Sequence, residues 1–296
     1  MTILIIQVLN SLFYAAVLFL IAAGLSLIYG VMRIVNLAHG TLYALGAYVS
    51  AWIVGSAFGH AVSGTLGLVG MLLLLPIGAV VIALVGAAIE PTLLRPLYRR
   101  PEEYHLLVTF GLLMILEDVM KLLFGGTPLA AGEIIDHMGS IPIGRLIYPT
   151  YNLFVIAVGF VASLALWWFI YRTRFGVILR ATSQDRRMAS ALGLNVGHVY
   201  IMAFAIGCFM AGLGGAVVVP AQAAVLDMGV DALVLSFVVI VIGGLGSLEG
   251  ALVGALIVSF VRTAGIQFFP EIELAVLYLI ACAVLLIRPT GLFGRA

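Results

Sequence analysis

Glu117, Asp118 and Lys121 sit within a turn or so of one another in an apolar run, where ionised groups are rare. A charge at a bilayer centre costs about 2.5–3.5 kcal/mol on insertion scales, so the trio invites a functional reading. Glu117 and Lys121 have the spacing and order that let them neutralise each other, with the lysine stem snorkelling outward. The competing chemistry is a proton relay for secondary transport, though relays usually draw on several deeply placed acids. Glu249, after a glycine cluster, is the other acid on which ion coupling would rest. Lys121 is also the only lysine, and Leu122 follows it. A phosphate-binding loop needs Gly-x-x-x-x-Gly-Lys-Ser/Thr, so none exists here, and any ATP must be hydrolysed by another polypeptide. His-Glu-x-x-His, paired-Asp and Gly-x-Ser-x-Gly motifs are absent. His39 has no second ligand at a helical interval, so neither a metal nor a cofactor is expected. Cys208 and Cys282 lie in apolar runs and read as small buried hydrophobes.

The elements that hold these groups must be membrane helices. Hydrophobic residues form 64% of the 296-residue chain and charged ones 9%, against about 25% charged in soluble domains. The expected fold is an all-α polytopic bundle forming a single domain over residues 1–296. Crossing the hydrocarbon takes about 20 apolar residues. Runs at 3–28, 37–58, 66–89, 106–124, 151–171 and 199–219 qualify, followed by a broken segment at 232–269 and a last span at 272–287. The first run lacks a basic leader and reads as a span rather than a removed signal.

Arginine placement orients the bundle. Arg95, Arg99 and Arg100 share one loop, and Arg172, Arg174, Arg180, Arg186 and Arg187 share another; both are expected to be cytoplasmic. Loops 125–149 and 221–231 carry Glu133, Asp136, Asp227 and Asp231 against Arg145, and are expected outside. Arg288 and Arg295 favour an inner C-terminus, which requires 232–269 to cross twice, breaking at Gly243-Gly244-Leu245-Gly246-Ser247. That gives nine crossings; one unbroken helix would give eight. The break is preferred, because each glycine costs a helix about 1 kcal/mol relative to alanine. No basic tail suggests nucleic-acid binding.

The longest polar stretch, 172–198, predicts a short helix. Thr182 and Asp185 resemble a capping pattern, Gly193 is placed to stop the helix, and Met188, Ala191 and Leu192 share one small apolar face. Two to three turns are marginal alone in water, so something must hold them. The helix either rests on its own bundle or on lipid headgroups, or docks in a groove on a cytoplasmic partner.

Three landmarks favour the partner. They are Asn36-Leu-Ala-His-Gly40 with Gly46-Ala47-Tyr48; Arg180-Ala-Thr-Ser-Gln-Asp185 with Ala189 and Gly193; and Gly243-Gly-x-Gly-Ser-x-x-Gly-Ala-x-x-Gly-Ala255. On these, and on Arg288-Pro-x-Gly-Leu-Phe293, the chain resembles the branched-chain amino acid permeases of ABC importers. The resemblance implies a coupling surface at Thr182, Ser183, Gln184, Asp185, Met188, Ala189, Ala191, Leu192 and Gly193. It also implies two cytoplasmic ATPase subunits, a second homologous permease subunit, and an external solute-binding protein delivering leucine, isoleucine or valine across the inner membrane. Related permeases carry urea or amides, and an ion-coupled secondary transporter is the alternative outside the family.

Two chain breaks are candidate pathway or gate elements: Asn36, His39 and Gly40, and Gly243, Gly244, Gly246 and Ser247. Asn36 and His39 either line a path or cap the second span. The small-residue stripes Gly207/Ala211/Gly215, Ser247/Ala251/Ala255 and Gly250/Gly254 read as close helix packing, or as a permease–permease seam.

Overall fold

The computed structural model describes residues 2–58, 65–98, 100–268 and 270–294. Arg99 and Arg295, used above for orientation, lie outside the described residues. With no water to satisfy a bare backbone, apolar runs of this length close their hydrogen bonds within helices. The long helices are α1 (Thr2–Met32), α2 (His39–Phe58), α3 (Thr65–Ile89) and α4 (Glu102–Phe124). After α4 comes a region that the sequence reading left as loop: α5 (Glu133–Met138) and a hairpin of β1 (Ser140–Ile143) and β2 (Leu146–Pro149), turning at Gly144. Then follow α6 (Thr150–Arg172), α7 (Arg174–Gln184), α8 (Arg186–Ala191), α9 (Val196–Val218), α10 (Met228–Gly243), α11 (Leu248–Phe268) and α12 (Glu273–Ile287). The fold is an all-α membrane bundle, and the short hairpin is a minor addition to it.

Burial sorts the helices. From Ala15 to Ile28 every α1 side chain is buried, so this helix, apolar all round, is the axis of the bundle. In contrast α3 and α6 present exposed Leu73, Leu84, Phe160, Leu164 and Trp168 on their outer faces, where lipid is the solvent. Cys208 is buried against this core, whereas Cys282 is exposed, which corrects the expectation for the second thiol.

The segment read as broken does break. Helix α10 ends at Gly243, Gly244 and Gly246 take φ values of +112° and +78°, and α11 starts at Leu248. A side chain at Gly243 would strike Gly250, and one at Gly254 would strike Val239, so α10 and α11 run antiparallel at backbone contact. The glycine stripes are therefore used inside this chain: Gly207 packs on Gly24 and Ile28, and Gly215 on Tyr43 and Ala47. Small residues let helices approach this closely in lipid.

The arginine-bearing breaks gather at one end of the bundle. Arg95 donates to the Gly197 carbonyl at the start of α9, while Arg33, Arg180, Glu249 and Thr290 surround one cavity. The acid-bearing loops meet at the other end, where Leu129 and Ala224 exchange backbone hydrogen bonds. The trio on α4 resolves differently from the reading above: Lys121 pairs with Asp118 at 3.3 Å, not with Glu117, and both partners are largely exposed. An exposed pair of this kind contributes little stability, since water screens it.

Candidate coupling elbow and pathway cavity

Between α6 and α9 the polar stretch folds as an elbow of two helices, not one. Thr173 starts α7, its hydroxyl accepting from the Gly176 N–H at 3.0 Å. Arg180 then donates to the Ile170 carbonyl and lies 5.1 Å from the Tyr171 ring centre, pinning α7 back onto the end of α6. Sequence reasoning used Arg180 for orientation and as a family landmark and passed over Thr173, although a threonine just before a helical run is a cap signal.

The cap of α8 is Asp185, not Thr182. Its carboxylate accepts from the backbone N–H groups of Arg187 at 2.8 Å and Met188 at 3.0 Å. Those bonds, Met188's first, hold the Asp185 carboxyl below its ordinary range. Thr182 is buried in the last turn of α7 and donates to the Ile178 carbonyl at 2.9 Å. The expected helix of two to three turns is thereby cut to the six residues of α8. Its end falls where expected: Gly193 takes φ +82°, and the N–H groups of Gly193 and Leu194 close onto the carbonyls of Ser190 and Ala189. Only glycine adopts that conformation freely.

This elbow divides the residues of the predicted coupling surface. Met188 is 58% and Leu192 74% exposed, and Ala191 is exposed beside them. Ala189 is 3% exposed and turned into the chain, so it belongs to the elbow's own packing rather than to its outer face. Ser183 and Gln184 wall two adjoining cavities, of about 1100 Å³ and about 360 Å³, which also share Val31 and Arg33.

The predicted pathway residues also separate. Gly246 and Ser247 line the larger cavity with Ser26, Ser183, Gln184 and Thr290. Ser247 accepts from the Gly250 N–H at 3.0 Å, capping α11, and its carbonyl accepts from Ser26 at 3.2 Å. Gly243 and Gly244 are backbone-packing positions, pressed against Gly250 and against Gly291 and Gly294 respectively. The last described residues double back here: Leu292 and Phe293 donate their N–H groups to the carbonyls of Ile242 and Gly243, which end α10. Terminal carbonyls of a helix need such partners.

Asn36, His39 and Gly40 lie elsewhere, inside the bundle. Helix α1 ends at Met32, Arg33 turns the chain with φ +54°, and the following residues run back along α1 until His39 stands beside Ile21. That retreat is about 16 Å, or eleven helical residues. Asn36 accepts from the Ala38 N–H at 3.1 Å, a side-chain turn just before α2, and His39 Nε2 donates to the Ile21 carbonyl at 3.0 Å. Both are fully buried, and Asn36 Nδ2 and His39 Nδ1 have no partner. Gly40 touches the Gly229 backbone of α10, leaving no room for a side chain.

Known proteins match this arrangement along nearly its whole length. The family described as branched-chain amino acid transport system / permease component matches residues 7–287. The high-affinity branched-chain amino acid transport system permease protein LivH of Escherichia coli K12 is 30% identical, the match covering 98% of this chain and 95% of that protein. The permease protein BraD of Pseudomonas aeruginosa is 28% identical over the same shares. A probable LivH of Methanocaldococcus jannaschii is 26% identical, over 96% of this chain and 91% of that one. No solved structure matches. With the bundle, its broken α10–α11 hairpin and the match over residues 7–287 in hand, the chain belongs to the family of permease components of branched-chain amino acid transport systems.

Proposed function

We propose that this chain is one permease subunit of an ATP-driven importer in the inner membrane, carrying leucine, isoleucine or valine inward from an external binding protein. A second homologous permease completes the conduit, and two cytoplasmic ATPase subunits supply the force. The supporting observation is the exposed apolar face of Met188, Ala191 and Leu192 on a capped helix standing at the arginine-rich end. A helix this short with an uncovered apolar face gains most by seating in a partner's groove. The elbow and the α10–α11 break wall one cavity, so a displaced elbow reshapes the space beside Gly246 and Ser247. Its serines and backbone groups suit the polar end of a zwitterion.

The arginine clustering supports the orientation: Arg33, the elbow and the C-terminal turn inside, the hairpin and the acidic loops outside. ATP hydrolysis belongs to the separate subunits, as Lys121 lies outside any phosphate-binding loop. The test is leucine uptake by vesicles holding this chain, its second permease and the ATPases, with binding protein added. Uptake that needs ATP supports the reading; uptake by this chain alone under a proton gradient overturns it.

A further inference from the structure

Among the described residues Glu90 is the one fully buried acid, and neither the elbow nor the cavities use it. Burying a carboxylate is costly, and a buried ion pair seldom repays that cost through stability alone. Glu90 follows α3 in a short wide-turn segment, Glu90–Leu94, and its carboxylate accepts from Arg95 at 3.4 Å and from the Tyr98 hydroxyl at 2.5 Å.

Each partner of Glu90 reaches toward the elbow. Arg95 also donates to the Gly197 carbonyl at 3.2 Å, in the first turn of α9, just past the Gly193 stop. The Tyr98 ring meets Tyr200 edge-on with centres 5.2 Å apart. Tyr200 walls the smaller cavity with Thr182, Asp185, Arg186 and Arg187. On its other side Tyr98 lies parallel to the His105 ring on α4, 6.5 Å away. One turn along α4, the Thr109 hydroxyl donates to the His105 carbonyl at 2.8 Å and stands 3.5 Å from the Val35 carbonyl, beside Asn36. A contiguous run of side chains therefore links the elbow to the break before α2, with Glu90 at its centre.

We propose that Glu90 is a positioning residue of this relay: it holds Arg95 and Tyr98 so that a displacement of α8 and the start of α9 reaches the Val35–Asn36 turn. The idea rests on the importer reading above and adds the route by which the elbow's movement enters the bundle. A carboxylate suits the task because it accepts from the Arg95 guanidinium and the Tyr98 hydroxyl at once, each of which makes its own contact with α9, and no apolar substitute does this.

The experiment measures leucine uptake and ATP hydrolysis together in vesicles holding the whole complex. Glu90→Gln keeps the shape and removes the charge; Tyr98→Phe keeps the ring contacts and removes one donor. The expected result is an uptake-to-hydrolysis ratio at least tenfold lower for Glu90→Gln and severalfold lower for Tyr98→Phe, with the ATPases still co-purifying. A ratio equal to that of the unaltered complex in both variants overturns the relay, as do parallel losses of uptake and hydrolysis with less assembled complex, which mark a static brace. Uptake by the unaltered complex that ignores ATP sinks the importer reading itself, a result distinct from either.

Discussion

Two helix starts in this molecule solve the same problem in opposite ways. At α8 the free N–H groups are met by the Asp185 side chain, and the apolar face is left open. At α2 the first turn is sunk into the bundle, its backbone pressed on that of α10, while Asn36 Nδ2 and His39 Nδ1 are left orphaned. Helix α8 is easy to move, since apart from its caps only Ala189 is buried, whereas α7 is pinned to α6. The α2 start is set by neighbours on α1, α4 and α10 and moves only with them. On the proposed reading, the first is the input surface and the second its buried receiver.

The contrast breaks most visibly at Gly40. In Gly40→Val the added methyls collide with the Gly229 carbonyl and Leu233, a clash worth at least about 3 kcal/mol. Little monodisperse protein should survive size-exclusion chromatography; normal recovery would mean the starts of α2 and α10 are not in contact. Next, Met188→Glu combined with Leu192→Glu places charge on an exposed face, so melting in detergent shifts by under about 0.5 kcal/mol per site. ATP-driven uptake and ATPase co-purification nonetheless fall tenfold or more. Ala189→Glu separates the faces: this side chain is buried, so the substitution lowers the melting temperature as well.

Smaller effects sharpen the picture at the cap. Asp185→Ala removes the acceptor for two N–H groups and loosens the first turn of α8, read as faster hydrogen exchange at Met188. Because folding depresses the Asp185 carboxyl, its contribution is complete above the ordinary carboxylate range. As pH falls through that range and on to the lower folded value, protonation removes it. The protection factor at Met188, which allows for the slower intrinsic exchange in acid, should therefore fall as pH falls, and Asp185→Asn, an equally good cap, should abolish that fall. Gly193→Ala has open space around it but the wrong backbone preference, and should fray only the last turn, by about 1 kcal/mol.

Much of this was legible before any coordinates. Apolar runs placed nine helices of 15 residues or more among the described residues, and Gly243 to Gly246 marked the α10–α11 break, because those signals are local. What failed depended on packing. Thr182 and Asp185 are both good caps by type, and only the pin from Arg180 to Ile170 decides that α7 continues to Gln184. Lys121 stands at helical reach of both Glu117 and Asp118, and side-chain direction chose the second. Glu90 reads as the first polar residue after a span, and nothing local says that Tyr98 and Arg95 will close over it. Ala189 was read with Met188 as docking surface, but a residue one position on faces another way around a helix, here inward.

The C-terminal turn has a consequence for how the protein is made. The ribosome delivers Ile242 and Gly243 long before Leu292 and Phe293, whose amides close over them. Until Leu292 and Phe293 emerge, the tip of the α10–α11 hairpin stays unlatched, and these two residues act as its clasp. A nascent chain cut short before Gly291 keeps every described helix and still lacks that closure, so the carbonyls that end α10 stay open.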